Sequence, residues 1–490
     1  MDKTKSKVLS GLIWKFGERI SAQVVTFVVS VILARLLPTE AYGLITLVTI
    51  FITFANCVVT NGFGSALIQK KDADNTDFSS VLYFQLFAST VLYIILFLTA
   101  PLIAKFFGEG YDLLAPVLRV LGLRIPLTAI NNVQQAYVSK KMIFRKFFFA
   151  TIIGTVISAV VGIWMAYAGY GVWALVAQYL TNTTVGTIVL AFTIKWKPEL
   201  KFSVKNLRSL FSYGWKILIA SVIGELYNEI RTLIIGKLYT SNDLAFFDKG
   251  KQLPNIIVTN INTTISSVLF PAISNAQNNI NDVKNMMRRS IKTSAYIMCP
   301  LMFGLAVVAE PVISLLLTDK WLPCVPYLQI YCITYCFEPI QTANLQAIRA
   351  LGRSDIILKL EIIKKGSSLL ILFAVMNFGV NAIALSLFAT TLIAAVANTL
   401  PNKKLINYSY KELMVDMSAG ILISGIMAVI VYVLGIVLPT STLVTLIIQV
   451  TTGGIVYFAI SAIFKAEAFV YLKNTVFELL GSVLKKKKAD

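Results

Sequence analysis

Apolar runs long enough to cross a bilayer recur along the whole chain, at about 12–34, 41–66, 79–104, 113–138, 147–168, 171–194, 213–238, 253–275, 291–317, 323–348, 356–378, 380–400, 416–438 and 442–464. An α-helix rises about 1.5 Å per residue, so roughly 20 such residues span the hydrocarbon. Lipid offers the backbone no water, and a helix satisfies its own N–H and C=O groups within one segment. The expected fold is an all-α polytopic membrane protein of about 14 transmembrane helices. Composition allows little else: 57% of the 490 residues are hydrophobic and 14% charged, against about 25% charged in soluble domains. The first run, from about Leu9 to Leu37, is longer than a signal-peptide core and is read as the first helix.

A net charge of +20 in a soluble chain points to nucleic acid. Here the basic residues lie between apolar runs, so no nucleic-acid partner is expected and the charge reports orientation. Of the 44 Lys and Arg residues, 35 fall in the N-terminal segment, alternate connections and the tail. Six fall in the other connections, and Arg119, Arg124 and Arg231 lie within runs. The positive-inside rule makes the crowded side cytoplasmic and places both termini there.

Histidine is absent, which removes imidazole acid–base chemistry, Ser-His triads and most zinc sites. Of the five cysteines, Cys332 and Cys336 share a helical face without further ligands nearby and read as packing. Asp72-Ala-Asp74 has the spacing of some metal and nucleotide-sugar sites, but among Lys70, Lys71 and Asp77 it reads as a solvated charge cluster. No Walker A sequence appears, so ATP does not drive the chain directly. No cofactor, metal or enzymatic activity is expected.

The two halves echo each other. Trp14-Lys15 returns as Trp215-Lys216 and Ile32–Leu36 as Ile234–Leu238, while Pro126, Asn131, Lys140 and Lys146 return 213 residues on as Pro339, Asn344, Arg353 and Lys359. Six helices is an even number, so such a repeat is parallel, with its pseudo-axis along the membrane normal. The expected division is an N-lobe of helices 1–6 (1–196), a cytoplasmic interfacial linker (197–212), a C-lobe of helices 7–12 (213–402), helices 13 and 14 (403–464), and an amphipathic basic tail (465–490). The tail ends in Lys485–Lys488 and is expected to bind anionic lipid, at about 1 kcal/mol per basic residue near the surface. A disordered solubilising end is the alternative.

Residues 33–43 (LARLLPTEAYG), 62–69 (GFGSALIQ), 268–277 (VLFPAISNAQ), 318–321 (TDKW) and 350–355 (ALGRSD) resemble the signature stretches of bacterial polysaccharide transporters. These belong to the multidrug, oligosaccharidyl-lipid and polysaccharide flippase superfamily. The resemblance covers roughly residues 8–400. It implies two MATE-like lobes and a flippase that moves a lipid-linked oligosaccharide, on a polyprenyl diphosphate, across the bacterial plasma membrane by alternating access. Polysaccharide polymerase and assembly proteins are further candidate partners. Two other readings stand beside it: a cation-coupled exporter of small amphipathic compounds, and a membrane-embedded glycosyltransferase or polymerase, which the short outward connections disfavour.

Polar residues at helical spacing mark candidate cleft faces. Gln23, Thr26 and Ser30 share one face. Arg124, Thr128, Asn131 and Gln135 share another, with Asn132 and Gln134 beside them. Tyr335, Glu338 and Thr342 share a third. The fourth lies in the run Trp215–Tyr239, where Ser221, Glu225, Asn228 and Thr232 align, with Glu229 and Arg231 adjacent. Ionised groups persist at membrane depth when they face a protein interior or a wet cavity. Arg124 suits a diphosphate, because its planar fork holds phosphate oxygens bidentately; the structural alternative is an ion pair with Glu338 or Glu225. The amides suit sugar hydroxyls or helix–helix bonds of about 1 kcal/mol each. Glu225, Glu229 and Arg231 are candidates for H+ or Na+ coupling, or a static polar network. Glu338 and Glu310, each beside a proline, read as structural rather than ion-coupling.

The topology yields a direct test. Cysteines introduced near Gly169 and Phe378 are expected to react with an impermeant thiol reagent from outside, and cysteines near Lys141 and Lys403 are not. Outside labelling at either of the latter overturns the 14-helix orientation.

Overall fold

The structure, a computed structural model, describes residues 3–438 and 441–487, with side chains left undescribed at 3–13, 16, 213, 476 and 479–487. The lysines counted at 3, 5 and 7 and the run Lys485–Lys488 therefore lie outside the described side chains. The chain forms two compact units, Met1–Ala245 and Phe246–Asp490. The first holds α1 (Lys3–Leu36), α2 (Thr39–Thr60), α3 (Phe63–Gln69), α4 (Asn75–Phe107), α5 (Leu114–Gly122), α6 (Arg124–Lys141), α7 (Phe144–Tyr167), α8 (Val172–Thr193) and α9 (Val204–Leu238). The second holds α10 (Ser241–Ala276), whose first turn belongs to the first unit, then α11 (Ile280–Val307), α12 (Ala309–Leu317), a 3-10 turn (Asp319–Cys324), α13 (Val325–Tyr335), α14 (Glu338–Ala350), α15 (Ser354–Val375), α16 (Val380–Ile406), α17 (Tyr410–Val437), α18 (Thr442–Ile463) and α19 (Glu467–Lys487).

Among the described residues, 11 helical segments are long and apolar enough to cross a membrane, and the chain is a multi-pass membrane protein. Three expected runs fall outside that set, two of them for their charge. The helix α9 carries Glu225, Glu229, Arg231 and Lys237; α15 carries Lys359, Glu361, Lys364 and Lys365. The run 323–348 is split into α13 and α14 at Cys336–Phe337. The first unit has a matching split, with α5 ending at Gly122 and α6 opening at Arg124.

Local chemistry sets the helix ends. Pro38 is held extended and separates α1 from α2. Asp74 and Asp77 form a capping box that starts α4, and Ser409 with Glu412 forms another at α17; each box satisfies two backbone donors that a helix start leaves orphaned. Gly169 and Gly171 turn the chain with positive φ between α7 and α8, and those two helices pack as an antiparallel hairpin. Of the stretch 197–212, only the part up to Ser203 is non-helical. From Val204 the helix runs unbroken into α9, capped by the Ser203 hydroxyl, which accepts from Asn206 N–H. The extended part is strapped to α4: Glu199 N–H donates to Ser79 Oγ at 2.9 Å, Ser203 N–H to Ser80 Oγ at 2.9 Å, and Asn75 Nδ2 to Glu199 Oε1 at 2.7 Å. The Asn75 bond, followed by Lys201, holds the Glu199 carboxyl below the usual carboxylate range.

Two signature glycines stand where backbones meet. A Cβ on Gly43 of α2 would lie 1.8 Å from Ser241 O, and one on Gly62, whose φ is +96°, would lie 2.5 Å from Gly214 O. Close approach through glycine is how helices gain contact where no hydrophobic effect drives them together. The same junction is tied by Thr39 Oγ1, which donates to Asn242 Oδ1 at 2.6 Å, and by Asn242 Nδ2, which donates to Glu40 Oε1 at 2.8 Å. In the second unit, the buried Asp416 of α17 accepts from Arg288 Nε and Nη2 of α11 at 2.9 and 2.7 Å and from Tyr408 OH at 3.0 Å. Lys292 bridges Asp416 to Glu467 at the start of α19, and Arg289 lies 4.8 Å from the Tyr471 ring. The tail helix is thus seated on α11.

Gly43→Ala is expected to destabilise the protein by about 1–3 kcal/mol, the usual range for overpacking. Gly224→Ala on α9, where an added Cβ meets nothing within 4 Å, is the matched control, and its unfolding midpoint in detergent should stay level or rise. Equal midpoints for the two variants contradict the close approach at Gly43.

Candidate functional site

Arg124 opens α6 immediately after the break at Leu123. Its Nε donates to Thr183 Oγ1 of α8 at 2.9 Å, and its guanidinium carbon lies 5.4 Å from the centroid of the Tyr179 ring. That bond uses Nε and not the two terminal nitrogens, which form the forked end. Further along α6, Asn131 Nδ2 donates to Thr187 Oγ1 at 3.3 Å, the buried Gln134 donates to Thr187 O at 3.3 Å, and Gln135 donates to Asn131 Oδ1. Thr187 and Thr183 each donate to the carbonyl one turn back on α8, Thr183 O and Tyr179 O. Arg124, Asn131, Gln134 and Gln135 therefore form one hydrogen-bonded ladder with Tyr179, Thr183 and Thr187. Among the described residues no ion pair joins Arg124 to Glu225. Asn132 lies apart, its Oδ1 accepting from the buried Gln85 of α4 at 3.4 Å, and it also rests where a Cβ on Gly64 would fall.

The α8 residues and Gln85 were not among the sequence candidates. Tyr179, Thr183 and Thr187 recur every four residues in an apolar run, a signal readable from spacing alone. That they face α6 is not readable from spacing.

On α9, Glu225 and Glu229 are half-buried, Asn228 is exposed, and Arg231 and Thr232 are buried. Glu225 lies within charge range of Cys57 on α2, whose Sγ accepts from Asn61 Nδ2 at 3.0 Å. Gln23 is half-buried on α1. In the second unit, Tyr335 ends α13 and Glu338 opens α14, on either side of the break, with the Tyr335 and Tyr331 rings 5.5 Å apart. Glu338 is within charge range of Lys364, which itself bonds Glu361 at 2.6 Å. Asn344, the counterpart of Asn131 in the repeat, is fully buried and accepts from Asn402 Nδ2 of α16 at 2.7 Å. Glu310 lies in the first turn of α12. Among the described residues no cluster of three or more Cys, Asp or Glu is placed to hold a metal ion.

Comparison with known proteins adds the family. The chain is 23% identical over 361 residues to the teichuronic acid biosynthesis protein TuaB of Bacillus subtilis, covering 73% of this chain and 74% of that one. It is 22% identical over 447 residues to the lipopolysaccharide biosynthesis protein WzxC of Escherichia coli, covering 89% of each. Among solved structures, the lipid II flippase MurJ in an inward closed conformation superposes with a TM-score of 0.74 at 16% identity, over 92% of this chain and 98% of that chain. An inward-facing multidrug resistance MATE transporter superposes at 0.61 with 14% identity, over 79% and 96%. At such identities the structural likeness establishes the fold. Residues 32–326, more than half of the chain, match the family model described as polysaccharide biosynthesis protein, and the chain belongs to that family.

Proposed function

We propose that this protein is a flippase that carries a lipid-linked oligosaccharide, on a polyprenyl diphosphate, from the inner to the outer leaflet of a bacterial plasma membrane for surface polysaccharide assembly. The observation that carries the reading is the polar ladder headed by Arg124 between α6 and α8. A guanidinium at membrane depth holds its charge, and its fork matches two phosphate oxygens. The relatives named for teichuronic acid and lipopolysaccharide biosynthesis support the polysaccharide substrate class over small amphipathic compounds. The neighbour named as a lipid II flippase has the higher TM-score of the two solved structures. We read the chain as a transporter, with no covalent step of its own.

The full reading has 14 spans, both termini cytoplasmic, and two six-helix lobes that alternate access. The eleven apolar segments together with α9, α13–α14 and α15 supply the count. The breaks at Leu123 and Cys336 lie 213 residues apart, the same interval as Pro126 to Pro339, which supports the repeat. Gln23, Asn131, Asn132, Gln135, Asn228, Tyr335 and Glu338 are proposed to meet the glycan. Glu225, Glu229 and Arg231 are proposed to link its passage to a proton or sodium gradient.

Arg124→Ala and Arg124→Lys are both expected to abolish glycan export at unchanged membrane level, because lysine keeps the charge and loses the fork. A fully active lysine variant overturns the bidentate role. For coupling, Glu225→Gln and Glu229→Gln, singly and together, are expected to remove the gradient dependence of transport in vesicles. A double variant with unchanged gradient dependence makes the pair structural.

A further inference from the structure

The helix α10 presents its polar side outward. Between Pro254 and Pro271, Asn255, Thr259, Asn260, Thr263, Thr264 and Ser267 are exposed, and no large apolar side chain from 255 to 267 is. At about 100° per residue these six fall within one half of the helix. The opposite half supplies Val258, Ile265 and Leu269, all buried, and the last two join a core with Ile273, Met287, Ile291 and Ile340. The exposed faces of other apolar helices are the reverse, as on α17, where Met414, Val415, Leu422, Ile426, Val429 and Val433 stand outward. A surface of amides and hydroxyls is unfavourable against lipid tails and favourable against water.

The chemistry of the face is specific. Thr263, Thr264 and Ser267 donate their hydroxyl protons to the carbonyls of Thr259, Asn260 and Thr264, at 2.6, 2.9 and 2.9 Å, and Asn260 Nδ2 donates to Ile256 O at 2.9 Å. These hydroxyl protons are used within the helix, which leaves their oxygen lone pairs outward, and the Asn255 and Asn260 amides add N–H donors beside them. Beside them Asn262 Oδ1 is buried without a hydrogen-bond partner among the described residues, an orphan that a ligand donor would satisfy. No Asp, Glu, Lys or Arg occurs from 252 to 281. The face therefore offers neutral hydroxyl and amide groups without charge.

We infer that this face of α10 is a sugar track whose hydroxyl and amide groups hydrogen-bond glycan hydroxyls. It rests on the proposed transport of a lipid-linked glycan and adds residues of α10 to those proposed to meet it.

The test places Asn255→Cys, Thr259→Cys and Thr263→Cys singly in the full chain. The five native cysteines are buried and give a low background. Labelling by a membrane-impermeant maleimide is compared in membranes from cells that make the surface glycan and from cells lacking the transferase that begins it. The expected result is labelling that slows several-fold when the glycan lipid is present. Absence of labelling puts the face in lipid and overturns the track, and so does labelling at equal rates in both membranes. Export by the wild-type chain is measured alongside: export with unprotected cysteines ends the track and leaves the flippase reading intact, whereas no dependence of export on the chain ends both. Combining Asn255→Leu, Thr259→Val and Thr263→Val should lower export at unchanged membrane level, and a lipid-facing helix predicts no loss.

Discussion

A polar group in hydrocarbon must find a partner or keep water beside it, and each helix of this chain meets that condition in one of a few ways. Most helices hold their polar atoms in the backbone and show lipid an apolar surface. The pair α6 and α8 is instead joined by side chains of α6, Arg124 to the Thr183 hydroxyl, Asn131 to the Thr187 hydroxyl and Gln134 to the Thr187 carbonyl. Each such bond between helices is worth about 1 kcal/mol or less, so the ladder fixes register more than it supplies stability. The break at Leu123 matters here, because it lets Arg124 begin a new helix beside α8.

What the sequence revealed follows the same division. Runs, hairpins and caps are set by neighbours within a few residues, so Gly169 and Gly171 could be read as a turn and Pro38 as a stop. The break within 323–348 could not, since the apolar pattern passes through Cys336 and Phe337 without interruption. Arg124 stood out by its charge, whereas Thr183 and Tyr179 did not, because hydroxyls in an apolar helix commonly bond their own backbone. The outward face of α10 escaped for the same reason: spacing shows amphipathicity, but only packing shows which half is buried.

The signature stretches acquire a physical meaning at this point. Gly43 and Gly62 stand where Ser241 and Gly214 bring their backbones within reach, and Thr39 and Glu40 hold Asn242. A side chain at Gly43 would push α2 from the start of α10, and one at Gly62 would push the start of α3 from α9. In the second unit charge does comparable work, with Asp416 gathering Arg288 and Lys292. Asp416 is buried while its cations reach solvent, so removing them would leave an uncompensated buried carboxylate, which costs more than an exposed pair contributes.

A guanidinium on α6 and an uncharged polar face on α10 suit a cargo with two chemistries. A diphosphate carries charge whatever glycan follows it, so a fixed, bidentate cation can recognise it in every substrate. Sugar hydroxyls vary in position, and neutral acceptors spaced along a helix can meet them one by one at modest energy each. Tight binding of the glycan would slow its departure, since a carrier must release what it has moved. A face of weak, uncharged hydroxyls and amides avoids that trap, and it offers a phosphate no cation.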